Sequence, residues 1–307
     1  MLVLSTLTTN ASAKLSEFDF SKWEAVQESI NDVEDKEKDA NYSGPPTGWK
    51  FDQVANGPSK VAEAEGNKFI QLEGYNQLYI PNAIADKYYV YSVDMKIEGK
   101  PNVGMFARVG EERFKYDANT SDFFEFDRSG NHDGIVALGG SGMYIRPEGK
   151  KLTLYIKLYD DEQPCDINNK IYTFETDVDF ATDFRTVTLV DDGSTVFIYV
   201  EDNLIAKVTF STPKTYPIGE EEYYSKVVVY GADGTELGSH DNALFAINSV
   251  VAFGDRNASA QIDNIILKTY KDAEATNPET SDSSIAFVTI VFAFSTVLVV
   301  LKKRVMV

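Results

Sequence analysis

The residues best suited to chemistry lie on one acidic stretch, Asp122-Phe123-Phe124-Glu125-Phe126-Asp127-Arg128-Ser129-Gly130. On a strand, side chains two positions apart project from the same face, so Glu125 and Asp127 would stand side by side. Paired carboxylates serve two kinds of sugar chemistry. In glycoside cleavage one acts as nucleophile or base, and a second, protonated carboxyl gives the leaving group its proton. In binding, both accept hydrogen bonds from sugar hydroxyls. The plain alternative is an acidic strand face with no chemistry, in a chain where Asp and Glu number 48 of 307 residues. Tyr144 beside Arg146, and the pair Tyr223-Tyr224, are candidate stacking platforms, because a tyrosine ring can cover a sugar while its hydroxyl stays wet. Each is more often ordinary surface or rim.

Other constellations are poorly supported. The two histidines, His132 and His240, are far apart among turn residues, and Cys165 is the single cysteine. That set argues against a zinc site of usual ligand spacing and excludes an intrachain disulfide. Gly139-Gly140-Ser141-Gly142 lies between β-type segments and does not open a helix, so it reads as a turn and not a phosphate loop. No serine sits in a Gly-any-Ser-any-Gly elbow. A net charge of −19 repels nucleic-acid phosphates and suits a soluble surface protein or one that binds calcium.

The elements that would position these residues are short strands separated by turns across residues 43–270. Candidates are Phe69–Leu72, Gln77–Ile80, Tyr88–Ile97, Gly104–Val109, Phe123–Asp127, Gly134–Leu138, Leu152–Leu158, Ile171–Glu175, Thr186–Val190, Thr195–Val200, Leu204–Phe210, Lys226–Tyr230, Ala246–Phe253 and Gln261–Tyr270. Regular short strands with no helical period between them predict an all-β sandwich or barrel. Residues 14–42 carry a mixed signal. Ser21 and Glu24 make a capping box, with Trp23, Val26, Ile30 and Val33 on one helical face. Glu17–Phe20 reads as a strand before that short helix, or before an acidic loop.

The clearest stretch runs from Phe184 to Ala206: two alternating strands about Asp192-Gly193, then the turn Glu201-Asp202-Asn203 and a third strand. It resembles the central meander of laminin G-like and concanavalin A-like jelly rolls, and Gln261–Leu267 is similar to their closing strand. The resemblance implies a concanavalin A-like β-sandwich. Jelly-roll glucanases resembling laminarinase carry Glu-any-Asp-any-any-Glu, the last Glu being the acid. Here Gly130 takes that place, which implies binding without cleavage. A glycoside hydrolase or polysaccharide lyase with an atypical site is the rival reading, and a protein-binding adhesin or spacer is the third. Asp263, before Asn264-Ile265, resembles a ligand of structural calcium in related modules, so calcium is the one cofactor expected. A carboxylate capping a turn or facing solvent is the plain alternative.

The two ends carry targeting signals. Residues 1–13 are uncharged at the start and close on Ala11-Ser12-Ala13, a small-any-small cleavage pattern without the usual basic start, which reads as a shortened signal peptide. Residues 271–284 form a polar linker holding Asn277-Pro278-Glu279-Thr280-Ser281. An apolar run over 285–301 is long enough for a membrane-spanning helix, and the basic tail 302–307 would stay on the cytoplasmic side. This order resembles the sorting signal of Gram-positive surface proteins, with Asn277 and Ser281 departing from the common pattern. It implies that sortase links Thr280 to peptidoglycan, the plain alternative being a single-span membrane anchor with the main domain outside. Expected partners are therefore an extracellular glycan, sortase and the cell wall, with no nucleic acid.

Overall fold

Period-two alternation builds the central strands. In Tyr88–Ile97 the side chains of Tyr89, Tyr91, Val93, Met95 and Ile97 are buried, while Ser92, Asp94 and Lys96 keep partial exposure. A strand with one face on a core and one toward solvent requires this pattern. The computed structural model describes residues 14–17, 23–27, 49–53, 59–74, 77–81, 88–99, 102–110, 141–159, 167–216, 222–247, 249–255 and 258–270. All lie in the unit that ends at Tyr270.

In chain order the strands begin with β1 (Trp23–Gln27), β2 (Trp49–Gln53), β3 (Ser59–Ala64), β4 (Asn67–Gly74), β5 (Gln77–Pro81) and β6 (Tyr88–Ile97). There follow β7 (Val103–Val109), β8 (Met143–Glu148), β9 (Lys151–Tyr159), β10 (Ile167–Glu175), β11 (Arg185–Asp192) and β12 (Thr195–Val200). The last are β13 (Asn203–Thr215), β14 (Glu222–Gly231), β15 (Glu236–His240), β16 (Phe245–Ala246), β17 (Val250–Asp255) and β18 (Ala258–Tyr270). One sheet runs β15-β14-β13-β12-β11-β6-β18-β4-β3, with β1 on β18 and β16 on β14. The second runs β10-β9-β8-β7-β17-β5-β2. Val93, Leu189, Ile198 and Val208 of the larger sheet share one core with Met105, Ile145, Leu154 and Phe253 of the smaller. Each such side chain contributes about 1.5–3 kcal/mol by leaving water. The expected all-β sandwich is formed.

The helix expected from Trp23 is not. Trp23–Gln27 is a strand, with Trp23 opposite Tyr270 and Gln27 opposite Leu267. β4 pairs only with Ala258–Ile262 of β18, leaving unmatched backbone groups farther along that edge. Pairing with them outweighs a weak helical period. Glu17 ends a 3-10 turn, Leu15–Glu17, and the other residues of the strand expected at Glu17–Phe20 lie outside the described residues. The single strand expected at Ala246–Phe253 is two, β16 and β17. The strands expected at Phe123–Asp127 and Gly134–Leu138 lie outside the described residues, as do the span at 285–301 and residues 1–13.

A bulge in β7 shapes the interior. Val250 pairs with Val109 and Ala252 with Phe106, so Ala107 and Arg108 together oppose Val251. Arg108 adopts φ 57°, and this re-aims its side chain into the core. Gly142 passes so close that a Cβ there would strike the carbonyls of Ala107 and Arg108.

Candidate functional site

On β8, Met143 and Ile145 enter the core, which turns Tyr144 and Arg146 to the opposite face of the smaller sheet. Tyr144 is fully buried. Its ring stacks on Phe106 at 4.7 Å and meets Tyr155 at 5.6 Å, so three neighbouring strands contribute one aromatic row. A Cβ on Gly104 would collide with the Tyr144 ring, and the glycine leaves the space that the ring occupies. Arg146 lies over Tyr155 at 5.4 Å, donates to Asn102 Oδ1 at 3.4 Å and sits 3.6 Å from Glu148 Oε2. The structure thus joins Tyr144 and Arg146 through Tyr155, but it corrects the expectation of an exposed platform, because the ring is spent on packing. Tyr223 is also buried, beside Tyr216, and Tyr224 packs on Phe210 at 5.1 Å.

Glu125, Asp127 and the sorting residues Asn277, Pro278, Glu279, Thr280 and Ser281 lie outside the described residues. Asp263 is buried. Its Oδ2 accepts from Asn67 Nδ2 at 2.8 Å and its Oδ1 from the Asn264 N–H at 2.7 Å. Asp94 stands opposite it in the β6–β18 register and accepts from Asn264 Nδ2 and Thr186 Oγ1. Burial raises the Asp263 carboxyl above its ordinary range, the amide donors oppose the rise, and Asp94 adds to it. Calcium takes six to eight oxygens, whereas here nitrogen donors occupy the carboxylates. No group of three His, Cys, Asp or Glu suited to a metal occurs among the described residues. As arranged, the residues around Asp263 do not fit a calcium site.

His240 lies on β15, and its Nε2 is 2.6 Å from the Tyr172 hydroxyl of β10. Burial and the charge of Lys170 lower its pKa, against the pull of Asp241. This contact ties the edge strands of the two sheets together.

Beside that tie an open groove of about 680 Å³ crosses one end of the sandwich. Three stretches build it: the end of β10 with its following turn through Val178, the start of β13, and the β14–β15 turn with Leu237. Each has a local cause. The Thr176 N–H reaches Lys150 O at 2.8 Å and its hydroxyl Val178 O at 2.9 Å, which curls the chain after β10. Glu201 takes φ 53° to turn from β12 into β13. Asp233 accepts from the Thr235 N–H at 2.9 Å and hydroxyl at 2.8 Å, which fixes the last turn. Phe174, Val178 and Ile205 give the groove a partly buried apolar floor. Glu175, Asp177, Asn203 and Asp233 supply polar groups. Sequence reasoning recognised Ile171–Glu175, the Glu201-Asp202-Asn203 turn and Leu204–Phe210 separately. No single motif links them, so the groove went unseen.

No family model matches the chain, and no curated protein sequence matches it. Among solved structures it is similar to the metal-free carbohydrate recognition domain of Emp46p, with 10% identity, a TM-score of 0.42 and coverage of 81% of this chain and 98% of that one. It is similar to the carbohydrate binding module CBM66 from Bacillus subtilis, with 10% identity, a TM-score of 0.38 and coverage of 73% and 96%. A protein with a galectin-like fold from Bacillus subtilis gives 8% identity, a TM-score of 0.38 and coverage of 80% and 96%.

Proposed function

We propose that the chain is a concanavalin A-like β-sandwich module that binds extracellular glycan without cleaving it, tethered to the cell wall through Thr280. The groove carries this reading. Sugar recognition asks for an apolar surface for the C–H face of the ring and for acceptors placed for its hydroxyls. Phe174 and Ile205 offer the first, and Asp177, Glu175 and Asn203 the second. The tether is supported by the order of motif, apolar run and basic tail over residues 277–304.

Isothermal titration against neutral and charged oligosaccharides tests the binding. Affinity should fall at least tenfold in Asp177→Ala, an exposed site whose loss leaves the core intact. Absence of binding to every oligosaccharide, or full affinity in that variant, contradicts the reading. Release of reducing or unsaturated ends during the titration would support the hydrolase or lyase alternative.

A further inference from the structure

We propose that the groove selects glycans bearing free amino groups, glucosamine-type sugars with an unacetylated nitrogen, over acidic ones. This rests on the glycan-binding reading and adds the charge class of the ligand.

The groove's rim carries Glu175, Asp177 and Asp233, and no lysine, arginine or histidine is among its described lining residues. These carboxylates are unequally committed. Among the described residues, none makes a hydrogen bond or ion pair with the Asp177 carboxylate. Among the described residues, Glu175 pairs with Lys151 Nζ at 3.8 Å, with both groups exposed, and such surface pairs are weak and exchange readily. Asp233 is held by Thr235, whose N–H and hydroxyl keep its carboxyl below the usual carboxylate range. It therefore stays ionised in mildly acidic surroundings.

The fold already seats an ammonium at this lip. Lys14 Nζ donates to Asn203 Oδ1, and Asn203 is itself part of the groove lining. Lys14 already occupies that acceptor, so a sugar amine would instead meet Asp177 and Glu175 on the adjoining wall. The chain's net charge of −19 draws cations from a distance and repels uronates, sialic acids and sulfated sugars. The apolar floor of Phe174, Val178 and Ile205 distinguishes the groove from a bare acidic patch, because it needs a ligand with an apolar face as well as a charge.

The test compares a glucosamine hexamer with the N-acetylglucosamine hexamer by titration at low and high salt, at a pH that keeps the amines protonated. The amino form should bind at least tenfold more tightly, and added salt should shrink that advantage. Glu175→Gln with Asp177→Asn should abolish it. Glu63→Gln, an exposed carboxylate on β3 away from the groove, should leave it unchanged. Equal binding of the two hexamers overturns the amino-sugar inference and leaves the glycan reading standing. Failure of both hexamers to bind, while other oligosaccharides do, also overturns it. A lysine hexapeptide binding as tightly as the glucosamine hexamer, or equal loss in Glu63→Gln, shows a general cation surface and overturns it too.

Discussion

Arg108 and Asp191 form a bidentate ion pair that joins the two sheets through the core, with Nε to Oδ2 at 2.6 Å and Nη2 to Oδ1 at 2.5 Å. Neither side chain has any exposure. The guanidinium also donates to the carbonyls of Ala246 and Ile247 at 3.3 Å and lies 4.3 Å from the centre of the Phe210 ring. The Gly193 N–H gives Asp191 Oδ1 a further bond at 2.8 Å. Burial pushes the Asp191 carboxyl up, against the pull of Arg108. The guanidinium's own burial works against its charge, but the carboxylate beside it keeps Arg108 protonated.

Removing one partner leaves the other charge buried and uncompensated. Asp191→Ala should therefore destabilise the fold by roughly 3–5 kcal/mol, read from urea unfolding at neutral pH. A loss below about 1 kcal/mol, the scale of an exposed pair, contradicts this account of the clamp.

Gly142 should tolerate no side chain. Its φ is 73°, and a Cβ would meet the carbonyls of Ala107 and Arg108. Gly149, at φ 56° with open space around it, supplies the control. Gly149→Ala should cost about 1–2 kcal/mol from backbone conformation alone, and Gly142→Ala clearly more, with near-ultraviolet circular dichroism showing a disturbed core. Equal costs would remove the close approach from the explanation.

Asp263 makes a pH-dependent contribution with a defined sign. A carboxyl whose folded pKa lies above its unfolded value of about 3.9 favours folding most at acid pH, and that stability is lost as pH rises through the folded value. Asp263→Asn removes the dependence. Its melting temperature relative to the native protein should be more favourable at pH 7 than near pH 4. The opposite trend would mean that the amide donors of Asn67 and Asn264 outweigh burial.

A calcium chelator should leave the melting temperature unchanged, since the Asp263 and Asp94 carboxylates already have protein donors. A fall of several degrees, restored by calcium, would place a structural ion in the fold.

The sandwich was legible because its central strands repeat a strict period. Val187, Leu189, Val196 and Ile198 alternate with polar or outer-face residues about the Asp192-Gly193 turn, and each enters the core. The edges were less legible. Trp23–Gln27 carries a helical pattern, and only the free edge of β18 makes it a strand. Tyr144 illustrates the limit for sites. A tyrosine on the outer face of a strand suggests exposure, yet this one is buried, with Phe106 and Tyr155 of the neighbouring strands packed against its ring. The groove was hidden for the same reason, because Phe174, Asn203 and Asp233 meet only through the pairing of strands. Arg108 had no sequence signal at all, since a β-bulge rather than a motif sends it inward.

Backbone amide chemical shifts, recorded during titration with the glucosamine hexamer and its acetylated counterpart, test the central claim most directly. The account predicts that the largest changes fall on Thr173–Val178, Asn203–Ile205 and the turn from Gly231 to Asp233. Changes centred instead on Arg146 and Tyr155 of the smaller sheet, or none with either sugar, would contradict it.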